Sequence, residues 1–554
     1  MTTLLRGGTI ITGAGQRRAD LLLDGEKIAW VGRGPQAADR EVDVSGCFLF
    51  PGFIDAHTHF DLDVANTTTA DDFCTGSRAA LRGGTTTVID FACPNKGESL
   101  HHGLDLWHQK ADGRTFCDYG FHMTIDDWNE SIRAELPDMF AQGISSFKMY
   151  LTYPAMMIGD RDIYWALKEL KRLGGIAGFH CENAGVIDGM IAERKAAGEL
   201  SPASHPRTRP PYLEAEAVSR LLRIAQAADA PVVIVHLTNR EALLEVDHAR
   251  KRGQTVYVET CPQYLLLDES VYFNEDYSAA ARYVCAPPLR DKAEQEHLWK
   301  GLRRGAIQTV STDHCSFTLA QKDMGREDFT KIPGGLPGVE TRGELLYSYG
   351  VAKRKISAAQ MCRVLSENPA RLYGLYPRKG VLRPGSDADI VVYDPGASHV
   401  IRAEDCVANV DYNPYEGFVT AGGIRQVWLR GSSPWKTERS WWRRRRASIW
   451  PGARTPCEHS SMNLVIIGRF PAATDTQIRA FLPADREVFI TESDLSGPFL
   501  QSADALIPEH IPIPSFGDKA LKLRMIQTGA GYGEDRAVCF SGQHGQEGSF
   551  TKRS

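Results

Sequence analysis

Residues 51–60, PGFIDAHTHF, decide the fold of this chain. The run PGFIDA leads directly into His57 and His59, whose side chains share one side of an extended strand because strand side chains alternate between faces. Two such histidines are weak evidence alone, since many histidines only cap or pack. Their place directly after a short strand-like run favours a metal site at the end of a β-strand.

Four more polar residues follow short apolar runs in the same way: Lys148 after ISSF, His180 after GGIAGF, His236 after APVVIV, and Asp313 after AIQTVST. Singly, each has a simpler explanation, such as a surface lysine, a structural histidine or a helix N-cap aspartate. Strand-like runs also alternate with helical stretches such as EAVSRLLRIAQAA, which predicts an α/β fold with a closed (β/α)8 TIM-like barrel. Functional residues gather at the carboxyl ends of barrel strands, so this set predicts a zinc site.

Composition divides the chain into five segments. Residues 1–50 and 375–431 contain short strands and turns, and we expect them to form one small β-sandwich domain beside a barrel at 51–374. Residues 432–461 are strongly basic, contain WWRRRR and have no regular period, so we predict an irregular linker there. Residues 462–554 are predicted to be a truncated α/β unit with strands at MNLVIIG, REVFIT and ADALIP and a helix at TDTQIRAFL.

Bulk properties narrow the range of partners. The net charge of -5 over 554 residues favours neither nucleic acid nor an anionic membrane as a partner. No apolar run approaches the ~20 residues that span a bilayer, and the N-terminus lacks the pattern of a signal peptide. The 12 cysteines include no CxxC pair and fit thiols in a reducing cytoplasm. We therefore expect a cytoplasmic protein that binds neither nucleic acid nor a membrane.

Residues 3–431 resemble the hydantoinase/dihydropyrimidinase family of cyclic amidohydrolases. Besides the metal motifs, the family's signatures occur in order at ETCPQYLLLDES, APPLRDKAEQEHLW, STDHCSF, IPGGLPGVETR and ENPARLYGLYPRKGVLRPGSDADIVVYDP. The resemblance implies two zinc ions per chain, bridged by a carboxylated Lys148 (N6-carboxylysine) and by a hydroxide. By motif, His57, His59 and Asp313 would bind the more buried ion, and His180 and His236 would bind the second.

The same resemblance implies a reaction, the opening of a hydantoin or 5,6-dihydropyrimidine ring to an N-carbamoyl amino acid. Zinc can lower the pKa of bound water to about 7, and Asp313 would carry the proton to the leaving nitrogen. Tyr153 matches the family tyrosine that donates a hydrogen bond to the substrate carbonyl. Ala286 and Gly334 stand where the family has a substrate-binding serine and asparagine, so their backbone groups would bind the ring. A homo-oligomer, either a dimer or a tetramer, is expected.

Other members of the superfamily remain alternatives. Dihydroorotases carry an arginine two residues after the second histidine, where this chain has Asp61, and allantoinases have a Pro-Gly-Arg element that DLDVANTTTA lacks. The loop LDVANT also differs from the usual hydantoinase loop, which leaves allantoin or another cyclic ureide open as the substrate. Non-catalytic relatives act as structural proteins but have lost metal ligands. This chain keeps all six, which favours an enzyme.

Residues 462–533 resemble the N-terminal part of D-2-hydroxyacid dehydrogenases, as in ADALIPEHIPI and KLRMIQTGAGYGED. The nucleotide-binding half is missing, so no NAD chemistry is expected. Our hypothesis is that 432–461 is translated out of frame, because PWKTERSWWRRRRASIWPGAR can be back-translated so that the adjacent frame resembles a hydantoinase C-terminus. That terminus helps to hold hydantoinase subunits together, so assembly would be impaired in this chain.

Overall fold

The computed structural model describes residues 1–436 and four further strands, Leu464–Ile467, Val488–Thr491, Ala505–Pro508 and Met525–Ile526. The chain divides into two units, Met1–Arg454 and Thr455–Ser554. No helix among the described residues is long and apolar enough to cross a membrane.

Eight parallel strands, each paired with the next along the chain, form the central sheet. A parallel bridge between Thr58 and His314 joins the end of the first strand to the segment after the last, and His59 N donates to His314 O at 2.8 Å. The predicted TIM-like barrel is therefore confirmed. Barrel strands 1 to 8 are Phe53–Thr58, Thr85–Ala92, Asp118–Thr124, Ser146–Tyr150, Ile176–His180, Val232–Ile234, Val256–Thr260 and Thr309–Val310.

Helices cover the outside of the barrel because each presents an apolar face to the strands. In Asp160–Leu173, the buried residues Ile163, Ala166, Leu167 and Leu170 recur at helical spacing. The long helices are Phe73–Arg82, Leu100–Ala111, Glu130–Ala141, Asp160–Leu173, Ala184–Ala196, Pro211–Ala228, Arg240–Lys251 and Lys292–Arg303. Shorter α-helices are Ser204–Thr208, Pro262–Leu266, Tyr277–Ala281, Leu319–Lys322, Arg342–Leu346, Ala358–Cys362 and Asn368–Leu372.

Two mixed sheets form a β domain from both flanks of the barrel. Phe48–Pro51 pairs with Ile390–Asp394, and Pro51 lies opposite Ile390. Leu21, which precedes the barrel in the sequence, and Trp428, which follows it, belong to one buried apolar cluster. One sheet contains, in order, Lys27–Gly32, Asp20–Asp24, Thr2–Arg6 and Arg40–Asp43. The other contains Ser432–Lys436, Gly423–Leu429, Ile390–Asp394, Phe48–Pro51, Thr9–Thr12 and Gly15–Arg18.

The strand Ser432–Lys436 corrects the prediction that the whole of 432–461 is irregular. It pairs antiparallel with Gly423–Leu429 through a two-residue turn at Arg430 and Gly431, whose φ angles are 46° and 72°. Positive φ at both turn residues matches the twist of a hairpin, which lets the sheet extend by one strand. The remainder of 432–461 lies outside the described residues.

In the second unit, four short strands form a parallel sheet in the order Val488–Thr491, Leu464–Ile467, Ala505–Pro508 and Met525–Ile526. Three of them lie within the segments MNLVIIG, REVFIT and ADALIP, where the sequence predicts strands. The predicted helix at TDTQIRAFL lies outside the described residues, as does most of the segment that resembles a dehydrogenase.

Candidate metal centre and active site

The predicted metal-binding residues lie at or near the carboxyl ends of barrel strands, except that Lys148 lies in the middle of its strand. His57 and His180 end or nearly end strands 1 and 5, and Lys148 lies within strand 4. His236 follows strand 6 by two residues, and Asp313 follows strand 8 by three. Parallel strands end at one rim of the barrel, so residues spread over more than half of the chain meet there.

Asp313 connects the two histidines of the first strand. Its Oδ1 lies 3.2 Å from Nε2 of His57 and 3.1 Å from Nε2 of His59. Although burial opposes the effect, these two rings hold the pKa of Asp313 well below its usual range. Asp313 has a φ of 53°, and His236 has a φ of 39°, so both residues adopt the left-handed conformation that non-glycine residues rarely use.

Glu259, at the end of strand 7, is part of this cluster and was not predicted. Its Oε1 lies 2.7 Å from Nδ1 of His57, and both side chains are 1% exposed. Burial lowers the pKa of His57, but the carboxylates of Glu259 and Asp313 overcome it and raise the pKa to about 9. Burial instead lowers the pKa of His59 to about 4. Glu259 lies at the end of the strand-like run VYVE, the same kind of signal that pointed to the predicted metal ligands.

His236 extends the cluster towards strand 5. Its ring centroid lies 5.5 Å from that of His57 and 4.5 Å from that of His180. His180 in turn has its Nε2 at 2.6 Å from Oε2 of Glu182, a buried carboxylate that the sequence analysis did not identify. The imidazole groups of His236 and His180 thus lie next to one another beside Asp313.

Lys148 is buried between two aromatic rings, with the carboxylates of Asp313 and Glu259 close enough to act on its charge. Its side chain is 1% exposed, and Nζ lies 5.2 Å from the centroid of the Phe91 ring and 5.1 Å from that of Tyr150. Phe91 also contacts the rings of His57 and His59, at 4.6 Å and 5.0 Å, which places Lys148 beside the cluster. Burial lowers the pKa of Lys148 to about 8, although the Asp313 and Glu259 carboxylates oppose it, so the neutral amine is far more populated than in an ordinary lysine.

These side chains fit a divalent metal ion. One candidate ligand atom from each of His57, His236 and Asp313 lies within 4.8 Å of the others. Among the described residues, Nδ1 of His59 and Nδ1 of His236 are buried and have no hydrogen-bond partner. Buried polar atoms normally have partners, and imidazole nitrogens with a carboxylate are the donors that zinc and similar ions prefer.

Tyr153 lies three residues beyond strand 4, and its ring centroid is 5.2 Å from that of His180. Burial raises the pKa of its hydroxyl, so the group remains a hydrogen-bond donor at neutral pH. The guanidinium carbon of Arg209 lies 5.7 Å from the Tyr153 ring centroid, while its Nη1 donates to Glu182 at 2.7 Å. Arg209 therefore connects the tyrosine to the carboxylate that contacts His180.

The two predicted substrate-contacting positions, Ala286 and Gly334, lie together. A Cβ added to Gly334 would lie 4.0 Å from Ala286 N. Gly334 is exposed and Ala286 is partly exposed, whereas Pro333 and Gly335 are buried. The backbone of this segment is therefore accessible to a small molecule. It is linked to the metal cluster because Cys315, two residues after Asp313, donates its N–H to Leu336 O at 3.1 Å.

The loop after His59 forms a small hairpin at the same rim. Asp63–Val64 pairs with Thr67–Thr68 across Ala65 and Asn66, whose φ angles are 54° and 59°. Asp61, which stands where dihydroorotases have an arginine, forms an ion pair with Arg114, with Oδ2 at 3.5 Å from Nη1.

Residues 48–433 match the profile of the Amidohydrolase family. The chain is 43% identical over 447 residues to a D-hydantoinase of Streptomyces coelicolor, covering 79% of this chain and 95% of that protein. It is 43% identical over 439 residues to a D-phenylhydantoinase of Escherichia coli, and the match covers 78% of this chain and 94% of that protein. The crystal structure of a dihydropyrimidinase from Brevibacillus agri superposes with a TM-score of 0.78 at 42% sequence identity. The superposition covers 79% of this chain and 95% of that one. The chain therefore belongs to the amidohydrolase family and is a hydrolase.

Proposed function

We propose that this protein opens a cyclic ureide, a hydantoin or a 5,6-dihydropyrimidine, by hydrolysing one ring amide to give an N-carbamoyl amino acid. The main support is the position of Asp313 between His57 and His59, with a ligand atom of His236 within 4.8 Å of those of His57 and Asp313. The similarity to proteins named D-hydantoinase and dihydropyrimidinase supports the choice of ring.

The metal ions are proposed to be two zinc ions. His57, His59 and Asp313 would hold one, His180 and His236 would hold the other, and Lys148 would hold both. When bound, the ions supply Lewis acidity, which activates water and polarises the ring carbonyl. Asp313 accepts a proton from the attacking water and passes it to the ring nitrogen as the carbon–nitrogen bond breaks. The carboxylate suits this role because it lies at the centre of the cluster and is ionised before the reaction.

Lys148 is proposed to be carboxylated, because an ammonium group cannot bind two cations. The neutral amine would attack carbon dioxide, a nitrogen–carbon bond would form, and one proton would leave, so that the product is a carbamate with two oxygen ligands. Two features support this: the side chain is buried, and no carboxylate among the described residues forms an ion pair with Nζ.

Substrate contacts are proposed at Tyr153, Ala286 and Gly334. The Tyr153 hydroxyl would donate a hydrogen bond to the carbonyl oxygen and stabilise its negative charge as the carbonyl is attacked. Backbone groups of Ala286 and Gly334 would bind the remaining polar groups of the ring. The alternatives are allantoin or another cyclic ureide, and a non-catalytic structural role, which the intact cluster disfavours. A cytoplasmic homo-oligomer, a dimer or a tetramer, is expected.

Metal analysis combined with a panel of rings tests this function. We expect about two metal ions per chain, and ring opening of hydantoin or 5,6-dihydrouracil that stops when the ions are removed by a chelator. A folded, metal-loaded protein that opens allantoin but neither of these rings would overturn the substrate assignment. A folded protein that binds no metal would favour the structural role.

A further inference from the structure

Lys322 is a buried lysine next to the proposed substrate contacts. It ends the short helix Leu319–Lys322 and is 1% exposed. Its Nζ lies within hydrogen-bond distance of three backbone carbonyl oxygens: Val284 at 2.8 Å, Pro333 at 2.6 Å and Gly335 at 2.8 Å. A lysine ammonium has three N–H donors, so this arrangement uses all of them.

The three carbonyls come from two separate segments of the chain. Val284 precedes Ala286 by two residues, whereas Pro333 and Gly335 flank Gly334. The segments also contact each other directly, because Gly335 N donates to Val284 O at 3.0 Å. Lys322 therefore binds both of the proposed substrate-contacting segments where they contact each other.

The same segments are held against the metal cluster. A Cβ on Gly335 would lie 2.3 Å from Cys315 O, so only glycine allows this close approach. His314 forms a parallel bridge with Leu336, and His314 directly follows Asp313. Through these contacts, a shift of the 333–336 segment would change the distance between Gly334 and the reacting carbonyl.

We propose that Lys322 is a positioning residue for substrate. Its ammonium ties Val284 to Pro333 and Gly335, and thereby holds the peptide groups of Ala286 and Gly334 where the substrate ring binds. Burial lowers the pKa of Lys322 to about 7, an effect that Cys285 and Cys315 partly oppose. The three carbonyl oxygens accept hydrogen bonds from Nζ, which favours its charged form. The proposal rests on the proposed function, since it concerns the same substrate.

Kinetics of Lys322→Met and of the milder Lys322→Gln test the proposal. Ring binding should weaken while the metal cluster stays intact, so we expect KM to rise about tenfold or more, with kcat and metal content near those of the wild type. Lys379→Met is the matched control. Lys379 is also a buried lysine, but its Nζ lies near Asp118, Asp387 and Asp389 at the opposite end of the barrel, so KM should be unchanged. If that variant does not fold, Leu104→Ala in an outer helix serves instead.

Amide hydrogen exchange gives a readout that does not require activity. In Lys322→Gln, peptides spanning 284–286 and 333–336 should exchange faster, while those around His57 should not change. Unchanged KM and unchanged exchange in a folded variant would overturn the proposal, as would a loss of kcat or metal with normal KM. If the wild type opens no ring, the proposed function fails. The exchange experiment then still tests whether Lys322 holds the two segments together.

Discussion

Nδ1 of His57 lies 2.7 Å from Oε1 of Glu259, and 202 residues separate the two along the chain. The contact joins strand 1 to strand 7 and leaves Nε2 of His57 on the side of Asp313, at 3.2 Å. A carboxylate that accepts from one ring nitrogen fixes the orientation of a metal-binding histidine and makes the other nitrogen a better ligand. Glu259 should therefore contribute to metal affinity without touching the metal.

Glu259→Gln should weaken metal binding about 10- to 100-fold, because the amide keeps the shape but loses the charge. Equilibrium dialysis of the metal-free protein against buffered zinc would measure the change. Glu340→Gln is a suitable control, since Glu340 is also a buried carboxylate but binds Arg82 and the backbone of Val407. Equal zinc affinity in Glu259→Gln and the wild type would contradict the assignment.

Lys148→Ala should lose metal and activity together, because nothing else in the cluster can replace a bridging carbamate. Added bicarbonate should not help this variant, whereas a short carboxylic acid should restore part of both. Metal content and turnover are measured in parallel, and the carbamate carbon of the wild type is sought by carbon-13 NMR after growth with labelled bicarbonate. A Lys148→Ala protein with both ions and the full rate would exclude the bridge.

The sequence pointed to this cluster of side chains because the predicted metal ligands follow one rule. His57, Lys148, His180, His236 and Asp313 each follow a short strand-like run, and parallel strands must end at a common rim. Glu259 satisfies the same rule and could have been predicted from VYVE.

Other residues could not be found in this way. Arg209 precedes a helix and Lys322 ends one, so whether they reach the site depends on how those helices pack. The strand Ser432–Lys436 was missed for a different reason, since the basic run that follows it dominated the composition of the segment. The Arg430–Gly431 turn was the local signal for that strand.

Asp313→Asn should lower kcat by about 10²–10⁴-fold, because an amide cannot accept the proton from water. The fold should tolerate the change, since asparagine adopts the left-handed conformation that Asp313 has at φ 53° about as readily as aspartate. Steady-state kinetics at saturating zinc, with thermal unfolding as the control for folding, would measure it. A change confined to KM would assign the proton transfer to another group.

Resequencing the coding DNA around codon 432 tests the hypothesis of a shifted reading frame. We expect an insertion or deletion that, once corrected, continues the chain with a hydantoinase-like C-terminus. The corrected protein should then assemble into a defined oligomer, as measured by light scattering. A confirmed present frame, together with protease resistance across 432–461, would reject the hypothesis.

Arg209 and Glu182 form a buried pair that connects His180 to Tyr153, with Arg209 Nη1 at 2.7 Å from Glu182 Oε2 and side chains 11% and 1% exposed. Arg209→Met should cost about 3–5 kcal/mol, because it removes the arginine cation from a buried carboxylate and leaves the His180 ring as its remaining partner. Adding Glu182→Gln removes that charge, so the double variant should be more stable than Arg209→Met alone.

The free energies of unfolding of the wild type, the two single variants and the double variant form a double-mutant cycle. They are measured by urea unfolding of the metal-free proteins, since bound metal would otherwise add to stability. The coupling between the two substitutions should be about 0.5–3 kcal/mol, the range for residues in contact. Arg161, an exposed arginine beside Asp162, offers the control, and Arg161→Met should have little effect. Strictly additive changes at Arg209 and Glu182 would show that the carboxylate does not depend on the arginine, and Arg209 would then have no part in orienting His180.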